Sequence, residues 1–166
     1  MTNVFIVRPF GKKPVGTDAN NQPITVDFDQ IDKTLIQEAL KKAGLEGEGE
    51  TTGVIAKAGN IRLDMFQMLI AHDLVIADIS IDNANVFYEL GIRHGLRPKG
   101  TILIRFKWDS NKDVPFDLKT DRYIEYDRND PGAAVDLLAG PLEAHLVEAR
   151  APFPCRRSSC RGFLQG

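Results

Sequence analysis

Asp78 and Glu89 are the two carboxylates of this chain whose surroundings could support chemistry. Asp78 closes a short apolar run, Leu74-Val75-Ile76-Ala77, with the length and branching of a buried strand. A loop rich in Asp and Asn follows (Ser80, Asp82, Asn83, Asn85), and then a helix that carries Glu89 near its start. Open α/β sheets build ligand sites in this way, outside the carboxyl ends of their strands. A carboxylate held there suits attack at the anomeric carbon of a sugar. Departure of a base or pyridinium leaves an oxocarbenium-like centre, which a nearby anion stabilises or traps covalently. Asp78 and the Asn side chains would hold ribose hydroxyls. Arg8, Lys12 or Arg62 would take a phosphate, arginine by a bidentate contact. Phe10 or Phe87 would stack on a base.

Each of these residues also has a plainer reading. Glu89 and Arg93 are four apart in the favourable order, which is the pattern of a surface ion pair. Asp78 could satisfy backbone N–H groups of its own loop, and Asn83 is best read as the helix cap. His94 shares a face with Phe87, Leu90 and Gly91 and is expected to be partly buried. Gly91 is expected to mark close packing of helix on sheet, and Lys12 and Lys13 to be solvated. Gly11 to Thr17 (GKKPVGT) resembles a phosphate-binding loop only superficially, because Thr17 stands at the lysine position.

The elements that must position these residues can be read in order. Asn3 to Val7 is a first strand, followed by Arg8-Pro9-Phe10-Gly11, and Lys12 to Asp27 reads as a long loop. A helix begins at Phe28 with Ile31, Leu35, Ile36, Ala39 and Leu40 on one face, Asp29 as its cap and Gly44 as its stop. Thr51 to Ala56 is a second strand. Gly59 opens a helix through Ile70, with Ile61, Met65, Met68 and Leu69 inward. After the Leu74 strand and the Glu89 helix come a fourth strand, Thr101 to Phe106, and an edge strand, Arg122 to Tyr126. Pro131 to Arg150 is the last helix. This alternation predicts a five-stranded parallel sheet with helices on both faces and right-handed crossovers. In the order 2-1-3-4-5 it has a switch point between strands one and three. Arg8–Gly11, 59–62 and Asp78–Glu89 would meet there, with Asn85 and Glu89 on one helix face.

At 166 residues and 18.4 kDa the chain fits one domain. Residues 1–150 form that domain, and 151–166 read as a disordered basic tail with Arg156, Arg157 and Arg161. Cys155 and Cys160 fall short of the four ligands of a structural zinc site, so neither metal nor cofactor is expected. A formal net charge of −2 argues against nucleic-acid binding by bulk charge. No apolar run nears the ~18 residues of a membrane span. The N-terminus has no signal-peptide layout, and two tail cysteines make no disulfide framework, so the expected setting is cytoplasmic.

The segments DLVIADISIDNANVFYELG, VFIVRPFG and GNIRLDMF together resemble the superfamily that joins nucleoside 2-deoxyribosyltransferases to Toll/interleukin-receptor (TIR)-like domains. Within it, the chain most resembles the TIR-like N-terminal domain of bacterial tetratricopeptide-repeat proteins related to the regulatory region of stress-activated MAP kinase kinase kinases. The likeness covers roughly Asn3 to Tyr126 and is most specific at NVFYELG. It implies a flavodoxin-like three-layer α/β/α sandwich. It also implies an NAD, nucleoside or nucleotide ligand, N-glycosidase chemistry of hydrolase or transferase type, and self-association through the domain. The glutamate of the ELG motif, which takes the sugar in the transferases, falls on Glu89. The aspartate that helps bind base or sugar falls on Asp78. Asn85, Arg62, Asn60, Arg8, Phe10 and Gly11 are the remaining candidates for substrate binding. The transferases place an aspartate six residues before their glutamate, where this chain has Asn83. Related domains also bind nucleotides or partner proteins without catalysis, so a non-catalytic sensing or signalling module is the alternative.

Overall fold

The computed structural model describes residues 2–17, 21–45, 49–51, 61–97, 99–108 and 122–150, of which 50, 61, 62 and 148–150 are described by their backbone alone. The chain starts with β1 (Val4–Val7), whose four apolar side chains are all buried. Two strands come next where the sequence predicts a long loop, β2 (Lys12–Thr17) and β3 (Pro23–Asp27). They form an antiparallel hairpin separate from the main sheet, with Val15 as an extra residue bulged between the pairs Pro14–Thr25 and Gly16–Ile24. Mostly exposed, with a proline and a bulge in one strand, this pair lacks the apolar run by which a buried strand is recognised.

A helical segment then runs as α1 (Phe28–Ile31), a π-helical stretch (Asp32–Ile36) and α2 (Gln37–Lys42). Its cap is Asp27, not Asp29: the Asp27 carboxylate accepts the N–H groups of Asp29 and Gln30 at 3.1 and 3.2 Å. Asp29 is drawn elsewhere, by an arginine. The expected stop holds. Gly44 lies at φ +74°, and Leu45 N–H returns to Leu40 C=O at 2.8 Å.

The second strand of the main sheet, β4 (Gly49–Thr51), begins earlier than expected, and the rest of the segment foreseen as that strand lies outside the described residues. There follow α3 (Ile61–Ala71), β5 (Leu74–Asp78), α4 (Ala84–Leu96), β6 (Thr101–Phe106), β7 (Tyr123–Tyr126), a 3-10 turn (Pro131–Ala134) and α5 (Val135–Arg150). Strands β4-β1-β5-β6-β7 lie side by side in that order, and every pairing is parallel. The protein is thus a mixed α/β structure on a parallel sheet.

Alternation along the strands sends side chains to two apolar clusters. Val4, Ile6, Leu74, Ile76, Ile104 and Phe106 join Leu35, Ile36, Leu40 and Leu138 on one face. Phe5, Val7, Val75, Ala77 and Leu103 join Met65, Leu69, Val86 and Leu90 on the other. Because both faces are covered, the strands read as continuous apolar runs. Among the described residues, no helix is long and apolar enough to cross a membrane.

Candidate functional site

The pairing of β1 with β5 sets Val7 opposite Ala77, so the residues that follow, Arg8 and Asp78, emerge side by side at the carboxyl edge of the sheet. Asp78 is 1% exposed. Its Oδ1 accepts the Ser80 N–H at 2.9 Å, and its Oδ2 accepts the Tyr126 hydroxyl at 2.7 Å. The first contact is the loop-satisfying role foreseen for this aspartate; the second ties β5 to β7. Ser80 Oγ lies 3.1 Å from the Tyr126 oxygen and accepts the Phe106 N–H at 2.8 Å, while Ser80 C=O accepts Trp108 Nε1–H at 3.1 Å. With the phenolic proton given to Asp78, the Ser80 hydroxyl is the donor to Tyr126. Burial pushes the Asp78 carboxyl up from its ordinary range, against the hydrogen bonds of Ser80 and Tyr126 and the charge of Arg8. Burial, and then the charge of Asp78, push the Tyr126 phenol up as well.

Arg8 is 9% exposed and engaged within the protein. Its Nε and Nη2 donate to Asp32 Oδ2 at 3.1 and 2.9 Å, and its Nη1 donates to Asp29 Oδ1 at 2.7 Å and to the Pro9 carbonyl at 3.0 Å. The same Asp29 oxygen accepts the Gly11 N–H at 3.1 Å. Hydrogen bonding from Arg8 leads the causes that hold the Asp29 carboxyl below its ordinary value. The structure therefore gives Arg8 a different task from the phosphate contact expected of it. It closes the root of the hairpin, and the guanidinium lies 4.9 Å from the Phe10 ring centroid. Phe10 is 41% exposed.

Glu89 is placed by α4. The helix starts where Asn83 Oδ1 accepts the N–H groups of Asn85 and Val86, at 3.0 and 3.3 Å, which is the expected cap. One and a half turns on, Glu89 sits among the buried residues of the helix with Val86, Leu90 and Arg93, and is 7% exposed. The surface-pair reading of Glu89 with Arg93 fails. Arg93 is fully buried, and its Nη atoms donate to the carbonyls of Leu69, His72, Asp73, Lys99 and Gly100.

Two further readings on this helix are corrected. His94 is exposed, because the buried stripe runs through Glu89, Leu90 and Arg93 and the next residue turns outward. Gly91 is exposed too; a Cβ added there would meet nothing within 4 Å, so it marks no close approach to the sheet. Asn85 is exposed in the first turn. Asn60 and the side chain of Arg62 lie outside the described residues.

The structure thus brings together Arg8, Gly11 and Phe10 at one clasp, and Asp78 with Ser80 and Tyr126 at one network. Tyr126, Ser80, Asp29 and Asp32 were not singled out as site residues from the sequence. For Tyr126 a signal existed, since alternation in Arg122–Tyr126 puts it on the side of Ile124, toward the core. A cavity of about 450 Å³ opens between β3, α1 and the turn after β7, bounded by Ile24, Val26, Ile31 and Arg128. Neither Asp78 nor Glu89 lines it. Among the described residues no group of three or more His, Cys, Asp or Glu could hold a metal ion. No protein-family model matches the chain, and no curated protein is significantly similar to it.

Proposed function

We propose that the chain is a flavodoxin-like domain of the TIR/deoxyribosyltransferase superfamily that binds NAD or a related nucleotide or nucleoside and cleaves its N-glycosidic bond through Glu89. The observation that carries this reading is the burial of Glu89 at 7% exposure on the sheet-facing stripe of α4. A carboxylate is not kept among valines and leucines for solubility, and protein interiors tolerate one only when it is engaged. Attack of its oxygen on the anomeric carbon would release the base and leave a glycosyl ester, which water or a second acceptor then opens. Asp78 serves this site by fixing the β5 loop and not by meeting the sugar directly, since it is buried with both oxygens bonded within the protein. Phe10 is the surface on which a base would stack.

The test is incubation with NAD and a panel of nucleosides beside Glu89→Gln. Release of nicotinamide or base by the parent and its loss in the variant supports the reading. A second reading, a nucleotide-sensing or signalling module without turnover, draws on the engagement of Arg8 and Asp78 by internal partners. In that case a nucleotide raises the melting temperature and nothing is released. Both readings suit a cytoplasmic protein and leave room for assembly with further copies.

A further inference from the structure

The opposite end of the sheet has its own concavity. A cavity of about 320 Å³ lies at the amino ends of β6 and β7, walled by His94, Arg97, Lys99, Thr101 and Arg122 around the turn at Gly100. Three permanent cations and an imidazole converge, and among the described residues no carboxylate lines the wall. The chain as a whole is slightly acidic, so this charge is gathered against the average. The end of a helix favours cations, which accounts for His94 and Arg97 in the last turns of α4. It does not account for Lys99 in the following turn or for Arg122 before β7.

The local field is already felt inside the protein. The charge of Arg97 adds to burial in making the proton of Arg93 easier to lose, while Asp73 opposes it. Asp73 does not line the cavity, and its Oδ2 accepts the Asn3 N–H at 3.2 Å. The Thr101 hydroxyl itself is buried beneath the wall, without a hydrogen-bond partner among the described residues.

We propose that this cavity binds a small phosphate-bearing molecule, with Arg97, Lys99 and Arg122 on the phosphoryl oxygens. Arginine forks and a lysine point charge are the groups that recognise phosphate. The backbone of the turn is fixed. Gly100 has φ +81°, and a Cβ there would lie 2.3 Å from the Asp73 carbonyl oxygen. The site is separate from the Asp78–Glu89 region, for Thr101 pairs with Val75 whereas Asp78 pairs with Ile104 further along the same strands.

The experiment titrates inorganic pyrophosphate into the full chain at constant ionic strength, followed calorimetrically and by amide chemical shifts. Saturable binding is expected, with shifts at Gly100 and Thr101. The double variant Lys99→Gln, Arg122→Gln, altered at exposed positions, is expected to bind about tenfold more weakly or less with its melting temperature unchanged. Glu89→Gln is expected to leave binding as it was. Equal effects from chloride at matched ionic strength, or full affinity in the double variant, would overturn the site. Anionic phospholipid vesicles form the second arm: binding to vesicles without binding to pyrophosphate would overturn the small-molecule assignment in favour of a membrane surface.

Discussion

The hydroxyl of Tyr126 donates to Oδ2 of Asp78 across 2.7 Å, joining the last strand of the parallel sheet to its central one. The residues are 48 apart in sequence and both are essentially buried. With Ser80 between them, they hold the loop that leads into α4, and so the height at which Glu89 sits.

Tyr126→Phe removes one donor and leaves Asp78 Oδ2 and the Ser80 hydroxyl short of a partner. A loss of about 1–3 kcal/mol is expected. Equilibrium denaturation measures it, and an unchanged midpoint would show that the network contributes nothing to folding. Any turnover should fall along with the order of the 79–83 loop, read from its amide exchange rates.

The raised Asp78 carboxyl fixes the sign of a pH dependence. Its pKa in the folded state lies above the ordinary 3.8, so the folded protein holds this proton more tightly than the unfolded chain. The associated stability is fully present below pH 3.8 and is lost as pH rises through the folded value. Asp78→Asn carries no such proton. The variant is therefore expected to gain on the parent as pH is raised from 3.8 up to the folded value, by up to ~1.4 kcal/mol per pH unit within that window. Parallel stability profiles for the two proteins would contradict it.

Arg93 binds the end of α3 to the turn before β6 through five carbonyl oxygens. Lysine offers one ammonium in place of a planar fork and cannot reach them together. Arg93→Lys is expected to cost about 2 kcal/mol, and Arg93→Ala about 3 kcal/mol or more, because several buried acceptors lose their donor. Gly100→Ala should fail in the same place, since the added Cβ collides with the Asp73 carbonyl at a positive φ. Thermal melts of the three variants decide the matter.

Glu89→Gln keeps the shape of α4 and removes the nucleophile. If the proposed glycosidic cleavage operates, turnover falls by on the order of 10³-fold or more while far-UV circular dichroism stays the same. Unchanged product release would exclude Glu89 from the chemistry.

What the sequence shows and what it conceals follow from the range of the interactions concerned. Leu74–Asp78 is legible because a strand covered on both faces needs an unbroken apolar run, and Asn83 because capping is settled within three residues. The cap at Asp27 was missed for a long-range reason. Asp29 sits in an equally good local context, but its carboxylate is claimed by Arg8, 21 residues away. Tyr126 escaped for the same reason, since an alternating edge strand says which side faces inward but not which aspartate waits there. The burial of Glu89 was open on sequence alone. Its neighbour Arg93 could have been an ion-pair partner, and only the five carbonyls it serves show otherwise.

The hairpin of β2 and β3 leaves and rejoins the body at almost one point. Phe28 N–H bonds Gly11 C=O at 3.1 Å, and Asp29 holds both Gly11 and Arg8. The sixteen residues between are a closed excursion whose length the parallel sheet does not register. Replacing 12–25 by a tight turn, with the buried Val26 and the capping Asp27 kept, is expected to leave the strand pairings of the large sheet in place. Evolution, or an engineer, can therefore lengthen, shorten or exchange the outer part of this arm as a cassette while the Asp78–Tyr126 network stays where it is.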